Sequence, residues 1–197
     1  MFFLLNILMA KQIIIGITGT LGAGKGTVVD FLVTNLDFNH YCATTFISKE
    51  IKRRGMKVNR DVLREVANDL RAKNSPSYIV EELYKESQVD GGNCVIESLR
   101  AVGEVACLQK NDSFYLLAVD ADQKLRYDRI QLRGGVKDNV SFDKFVDNEK
   151  AEMTSTDPNS QNLSKCISMA DFVIHNDGTF EDLNNQIKKI LENIKNE

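Results

Sequence analysis

Short apolar runs alternate with longer amphipathic stretches along the 197 residues of the chain. The runs are rich in β-branched and aromatic residues, and they predict strands at 12–17, about 41–47, 93–97, 114–119 and 171–175. A stretch with helical periodicity follows each of them. Strands that alternate with helices indicate a parallel, doubly wound sheet with right-handed crossovers. The predicted fold class is therefore α/β, a three-layer α/β/α arrangement around five parallel strands.

The first predicted strand runs into a glycine-rich turn that contains one lysine, and residues that can begin a helix follow. A strand, a loop of this composition and a helix make up a phosphate-binding P-loop. Its backbone N–H groups and the positive end of the helix dipole hold a polyphosphate, and glycines permit the close approach. We therefore expect a nucleoside triphosphate to bind at Gly19, Leu21, Gly22, Ala23, Gly24, Lys25, Gly26 and Thr27.

The strict P-loop pattern has Ser or Thr directly after the lysine, whereas here Gly26 takes that position and Thr27 comes next. The variant Gly-x-x-Gly-Ala-Gly-Lys-Gly-Thr resembles the loop of the adenylate-kinase branch of P-loop proteins. This resemblance implies a kinase that binds ATP and Mg2+, with Lys25 at the terminal phosphates. It leaves Thr27 two roles, either a bond to a phosphate or contact with the magnesium through water.

Composition and charge narrow the range of functions. Apolar residues make up 43% of the chain and charged residues 27%, values typical of a globular domain. The net charge of -3 gives no overall attraction to nucleic acid or to an anionic membrane, so we expect neither partner. The four cysteines have no C-x-x-C spacing, which favours reduced thiols in a cytoplasmic protein over a metal site built from cysteines.

The start of the chain, from Met1 to Ala10, is almost entirely apolar. It is too short to span a bilayer and lacks the basic region of a signal peptide. One hypothesis is that translation begins at Met9 and that residues 1–8 are an extension. A short extra strand or an apolar tail is the alternative.

A carboxylate and an arginine follow the third predicted strand at Glu97 and Arg100. A carboxylate at the end of a buried strand is costly unless it faces a metal ion or a polar cleft. The spacing resembles the Asp-Gly-x-x-Arg motif of nucleotide kinases, with Ser98 in place of the glycine. That resemblance implies that Glu97 orients hydrated magnesium and that Arg100 binds the acceptor phosphate. A surface ion pair at the start of a helix is the alternative.

All nine arginines lie between residues 53 and 133. Because a guanidinium binds phosphate through two parallel hydrogen bonds, this clustering favours phosphoryl recognition. The last three arginines share one helix face by their i, i+3, i+7 spacing. In kinases of the kind that the P-loop resembles, such arginines contact the transferring phosphate, and we expect this of Arg129 and Arg133. For Arg53, Arg54 and Arg60 we expect solvated surface positions.

Two segments do not belong to the simple strand-and-helix alternation. Residues of about 48–90 are predicted as a helical insert between the second and third strands, where such kinases bind the acceptor. The segment of about 134–165 is long and polar and begins with two glycines. These features predict a lid over the active site. This lid has no arginine, so lysines such as Lys137 would substitute or the lid would close differently. Both segments belong to one predicted kinase domain over 1–197.

The last predicted strand reads Ala-Asp-Phe-Val-Ile-His-Asn-Asp-Gly-Thr. It is similar to a motif of dephospho-CoA kinases and of small nucleotide kinases related to them, and the likeness extends from Lys11 to Ile194. The resemblance implies that Asn176, Asp177 and Gly178 flank the adenine. An ordinary strand, turn and capped helix would produce a similar pattern.

These features together predict ATP- and magnesium-dependent transfer of a phosphoryl group to a small nucleotide-like acceptor, above all a nucleoside or deoxynucleoside monophosphate. Dephospho-CoA is the first alternative acceptor, although residues 44–48 lack the aspartate that its kinases carry there. A nucleotide-binding regulatory protein without transfer activity is the second, because Ser48 stands where related kinases often have an arginine. Neither His40 nor His175 has a predicted partner. The base, the donor preference and the oligomeric state are not predicted.

Overall fold

A computed structural model of the protein describes residues 12–135 and 139–196. The apolar start with Met9 and the predicted lid residue Lys137 lie outside the described residues, so the hypotheses about them remain predictions. In the described part of the chain, no helix combines the length and the apolar character needed to cross a membrane.

Five parallel strands form one sheet, as predicted. They are β1 (Ile14–Gly19), β2 (Asn39–Cys42), β3 (Cys94–Glu97), β4 (Phe114–Asp120) and β5 (Phe172–His175). Their order across the sheet is β2-β3-β1-β4-β5. The strand order reverses at β1, and ligands bind beyond the carboxyl ends of the strands at such a switch point.

Helices connect the strands and cover both faces of the sheet. They are α1 (Lys25–Leu36), α2 (Ala43–Arg53), α3 (Arg60–Lys73), α4 (Tyr78–Asp90), α5 (Val102–Leu108), α6 (Gln123–Arg133), α7 (Phe142–Met153), α8 (Leu163–Ser168) and α9 (Phe180–Lys195). The segment predicted as an insert folds into α2, α3 and α4. The segment predicted as a lid contains α7, which is anchored by the fully buried ring of Phe145.

Two apolar clusters lie on opposite faces of the sheet because successive strand side chains point to opposite sides. Ile14 of β1 packs with residues of α2 to α5 on one face. Ile15 and Ile17 pack with residues of α1 and α9 on the other face. Burial on both faces explains why β1 shows no alternation of buried and exposed positions, since all six of its residues are buried.

The second strand is shorter than predicted and lies earlier in the chain. It ends at Cys42, and α2 begins at Ala43, so residues 43–47 are helical. The β-branched content of this stretch suggested a strand, but Ala43, Ile47 and Ile51 are buried with helical spacing. The sulfur of Cys42 also accepts a hydrogen bond from the N–H of Thr45 at 3.4 Å, which caps the helix.

Candidate active site

The glycine-rich loop follows β1 directly and has the positive φ angles that its glycines permit. Gly19 has a φ of +132°, and a Cβ atom there would lie 2.0 Å from the carbonyl oxygen of Val119. Gly24 has a φ of +96°, and its Cβ would lie 2.3 Å from the side-chain nitrogen of Asn176. Only glycine fits such positions without strain. A Cβ on Gly26 would meet no described protein atom within 4 Å, so the protein itself does not require glycine there.

Lys25 is held against the base of this loop. Its ammonium group donates hydrogen bonds to the carbonyl oxygens of Gly19 at 2.8 Å and Thr20 at 2.6 Å. Burial, with a smaller contribution from the positive charge of Arg100, lowers the pKa of Lys25 to about 7. An anionic group in the loop would favour the charged form again.

The loop after β5 braces the P-loop. The side-chain amide of Asn176 donates a buried hydrogen bond to the carbonyl oxygen of Ala23 at 2.8 Å. Asp177 accepts one from the backbone N–H of Asp122 at 2.7 Å, which joins this loop to the one after β4. Gly178 and the exposed ring of Phe180 line the same cleft as the P-loop. The family resemblance implies an adenine contact for Asn176, whereas its hydrogen bond to Ala23 was not predicted.

Glu97 ends β3 and faces the cleft beside the P-loop. Burial raises the pKa of Glu97, but hydrogen bonds from His40 and Cys42 outweigh it and leave the pKa below its usual value. The Nε2 atom of His40 lies 3.3 Å from Oε1 of Glu97. Sequence spacing offered His40 no partner, but β2 and β3 are neighbours and pair Cys42 with Glu97, which brings the exposed His40 beside this carboxylate. Burial and the Glu97 charge raise the pKa of the Cys42 thiol.

Ser98, next in the chain, has a φ of +70°. This left-handed conformation costs a residue with a side chain about 1–2 kcal/mol. The motif that this segment resembles has glycine at this position. Ser98 adopts a backbone conformation that would suit glycine better.

Arg100 lines the cleft, and its side chain is already paired. The guanidinium forms an ion pair with Glu152 of α7. Its backbone carbonyl accepts a hydrogen bond from the N–H of Asn162 at 2.9 Å. Arg100 thus ties the end of β3 to the segment predicted as a lid.

A buried ion pair lies behind Arg100. Arg71 of α3 and Glu104 of α5 are 2% and 0% exposed, and their closest nitrogen and oxygen are 2.7 Å apart. The other oxygen of Glu104 accepts hydrogen bonds from the backbone N–H groups of Arg100 at 3.0 Å and Ala101 at 3.1 Å. Sequence analysis missed this pair because its members lie 33 residues apart.

The three arginines of α6 have different environments. Arg126 is buried and donates to the carbonyl oxygens of Ala121 at 2.8 Å and Leu21 at 3.1 Å. It also forms an ion pair with Glu149 of α7. Arg129 and Arg133 line the cleft. One nitrogen of the Arg129 guanidinium is buried without a hydrogen-bond partner among the described residues.

The acceptor-side arginines were only partly foreseen. Arg53 and Arg54 pair with Glu50 on α2 and do not line the cleft. Arg60, for which a solvated surface position was expected, is half-buried and lines the cleft together with Arg64. Both residues lie in the first two turns of α3, and their place in the cleft depends on how α3 packs.

The P-loop, Glu97 and Arg100 line one cleft of about 1190 Å³ together with arginines of α3 and α6. Seven of its side chains are cationic and three are acidic, although the whole chain has a net charge of -3. The cationic residues are Lys25, Arg60, Arg64, Arg71, Arg100, Arg129 and Arg133. Cations concentrated in a cleft attract polyanionic ligands such as nucleotides.

The sheet order, the P-loop and the cleft define a P-loop protein with the fold of the nucleoside monophosphate kinases and related small kinases. A family model described as an AAA domain matches residues 15–155, from β1 to the loop after α7. The chain therefore belongs to this AAA-domain family.

Relatives and solved structures agree with this fold. A UPF0200 protein of Methanocaldococcus jannaschii is 26% identical over 192 residues, which cover 94% of this chain and 92% of that protein. The crystal structure of TT1252 from Thermus thermophilus has a TM-score of 0.64 at 21% identity and covers 92% of this chain and 97% of that one. Shikimate kinase from Bacteroides thetaiotaomicron has a TM-score of 0.57 at 12% identity and covers 93% of this chain and 98% of that one.

Proposed function

We propose that this protein transfers the γ-phosphoryl group of ATP to a small acceptor that already carries a phosphate, above all a nucleoside or deoxynucleoside monophosphate. One observation carries the proposal. The P-loop, the arginines of α3 and Arg100 after β3 line a single cleft, so a triphosphate and a second anion can lie in it together.

On the donor side, the amides of the P-loop and Lys25 bind the β- and γ-phosphates. Arg129 and Arg133 come from α6 and neutralise the oxygens of the phosphoryl group in transit. Phosphoryl transfer needs mainly positioning and charge stabilisation from the protein, which main-chain donors and fixed cations supply. The unpartnered nitrogen of Arg129 is a donor for such an oxygen.

Magnesium fits the donor set between the two sides. The hydroxyl of Thr27 and the carboxylate of Glu97 both line the cleft, and oxygen atoms are the ligands that magnesium prefers. Glu97 keeps its charge because its pKa is lowered. These two residues would hold the ion through water. When bound, magnesium neutralises phosphate charge.

On the acceptor side, Arg100 grips the acceptor phosphate, and Arg60 and Arg64 extend the cationic surface around it. The ion pair with Glu152 keeps the Arg100 guanidinium in place before the acceptor arrives. An acceptor phosphate replaces part of this contact. A neutral acceptor would leave these charges unused, which is why a monophosphate is the better match.

The test is an ADP-release assay on the purified chain with ATP, magnesium and a panel of nucleoside monophosphates, deoxynucleoside monophosphates and dephospho-CoA. We expect turnover with one class of monophosphate well above the rate without acceptor. Turnover with dephospho-CoA alone would overturn the acceptor. Tight ATP binding with no transfer would instead indicate a regulatory nucleotide-binding protein, and no affinity for any triphosphate would overturn the whole proposal.

Arg133→Ala tests the transfer role of α6. We expect turnover to fall by about 10³-fold, as for arginines that neutralise a phosphoryl group in transit. Arg53→Ala is the matched control, because that arginine is exposed and does not line the cleft. Equal turnover in the two variants would remove Arg133 from the mechanism.

A further inference from the structure

Three side chains with different metal-binding atoms meet where β2 and β3 end. The Nε2 or Nδ1 atom of His40, the Sγ of Cys42 and a carboxylate oxygen of Glu97 lie within 4.8 Å of one another. Parallel pairing of the strands causes this. Cys42 is registered opposite Glu97, and His40 lies two residues earlier, so it points to the same face.

The spacing of these atoms suits a small tetrahedral ion. Nε2 of His40 and Oε1 of Glu97 are 3.3 Å apart. Two ligands that are each about 2.1 Å from a tetrahedral zinc ion are separated by about 3.4 Å. The first two ligands therefore already have the required separation, and the Sγ of Cys42 lies within 4.8 Å of both.

The chemistry of the set selects the ion. An imidazole, a thiolate and a carboxylate together suit zinc and similar transition metals, whereas magnesium and calcium prefer oxygen ligands alone. Three protein ligands leave a fourth position open. Cys42 and Glu97 line the main cleft, while His40 and Cys42 line a smaller hollow of about 190 Å³ beside it. The ion can thus enter from solvent.

We propose that His40, Cys42 and Glu97 form a binding site for a zinc-class divalent cation at the edge of the cleft. A cation bound to the carboxylate of Glu97 prevents this residue from holding the magnesium ion of the nucleotide. Zinc therefore inhibits phosphoryl transfer. This last consequence rests on the proposed function, but binding of the cation does not.

Cobalt is the direct probe, because a thiolate ligand gives Co²⁺ a charge-transfer absorption that the free ion lacks. The full chain, kept reduced with a phosphine, is titrated with Co²⁺ in the absence of nucleotide and then with Zn²⁺. We expect one thiolate-bound cobalt per chain, displaced by one equivalent of zinc and retained in excess magnesium. A wild-type chain without this absorption would overturn the site, whatever the outcome of the transfer assays.

Matched variants identify the ligands. Cys42→Ser should abolish the cobalt absorption and weaken zinc binding by at least about 100-fold, since loss of outer-shell groups alone costs 10–100-fold. This variant should fold, because serine also caps a helix well. Cys107→Ser, at a half-buried thiol on α5, and His175→Ala, at an exposed histidine, should bind as the wild type does. Equal zinc affinity of Cys42→Ser and Cys107→Ser would refute the assignment.

Discussion

The two halves of the cleft, which the proposed function assigns to the phosphate donor and to the acceptor, are built in different ways. The donor half is a loop of nine consecutive residues, and its functional groups are mainly backbone N–H groups and Lys25. The acceptor half consists of arginine side chains that reach the cleft from separate elements. Two of them, Arg71 and Arg100, are held by acids of α5 and α7.

This difference has a physical consequence for binding. Backbone amides in such a loop can bind an anion without breaking an ion pair. An arginine in an ion pair must give up part of that pair before it can bind a phosphate, which reduces affinity but fixes its position. The donor half is therefore suited to tight binding, and the acceptor half to selectivity.

The largest expected effect tests whether the acceptor half depends on its buried ion pair. Arg71→Met leaves Glu104 buried without its guanidinium partner, which should lower the free energy of unfolding by about 3–5 kcal/mol. Urea denaturation followed by circular dichroism measures it.

Two further variants make this result interpretable. Arg71→Met combined with Glu104→Gln removes the charge as well as its partner and should recover part of the stability. Arg54→Met breaks surface ion pairs with Glu50 and Asp69 and should cost much less stability than Arg71→Met. A loss for Arg71→Met no larger than for Arg54→Met would show that the buried pair is not critical.

The next effect concerns the donor half and pH. The free protein loses the Lys25 proton near pH 7, whereas a bound triphosphate should keep the lysine charged. Binding of the triphosphate then takes up a proton. The affinity for the triphosphate should therefore fall about 10-fold from pH 8 to pH 9. Calorimetry in buffers of different ionisation enthalpy measures both the affinity and the proton uptake.

Lys25→Arg is the control, because arginine stays charged throughout this range. Its affinity should not fall over the same interval. The folding stability of the free protein should change with pH in the opposite direction to the affinity. The unfolded chain binds more protons than the folded one between about pH 7 and 10.5, so Lys25 lets stability rise with pH there. An affinity independent of pH in the wild type would contradict the prediction.

A smaller effect tests whether Arg100 must leave Glu152 to bind an acceptor. Glu152→Gln removes the competing charge and keeps the size of the side chain. We expect the KM for a phosphorylated acceptor to fall about 5-fold, the equivalent of about 1 kcal/mol for a partly exposed pair. Glu192→Gln, at an exposed acid of α9, is the control. A raised KM in Glu152→Gln would mean that the acid positions Arg100 more than it competes for it.

The smallest expected effect is on folding stability and concerns the backbone at Ser98, between the two halves of the cleft. Ser98→Gly removes the strain of a left-handed serine but frees the unfolded chain, so the net gain in stability should be about 0.5 kcal/mol. Ser48→Gly, inside α2, should lose about the same amount, because glycine is the weaker helix former. Thermal unfolding compares them. A loss in both variants would show that the φ of Ser98 is not a source of strain.

Local patterns were enough to predict the P-loop, the sheet and the positions of Glu97 and Arg100 in the cleft. Glycine spacing and apolar runs act over a few residues, so they can be read without knowing the fold. The second strand was misplaced because the same β-branched residues around Ile47 suit a strand or a buried helix face. The assigned roles of the site residues remain predictions.

What sequence reasoning missed depends on contacts between distant elements. His40 meets Glu97 only because β2 and β3 are adjacent in the sheet. Arg71 meets Glu104 only because α3 packs near α5. The partner of Arg100 lies 52 residues away on α7. No spacing rule predicts such pairs, since each depends on which elements become neighbours.

The amide of Asn176 braces Ala23 across 153 residues of sequence. During synthesis on the ribosome, the phosphate loop emerges early, but its brace arrives only with the fifth strand. A nascent chain that lacks this strand carries every residue of the loop and still leaves one of its carbonyls without the amide. The chain should consequently reach its full nucleotide affinity only after β5 has joined the edge of the sheet.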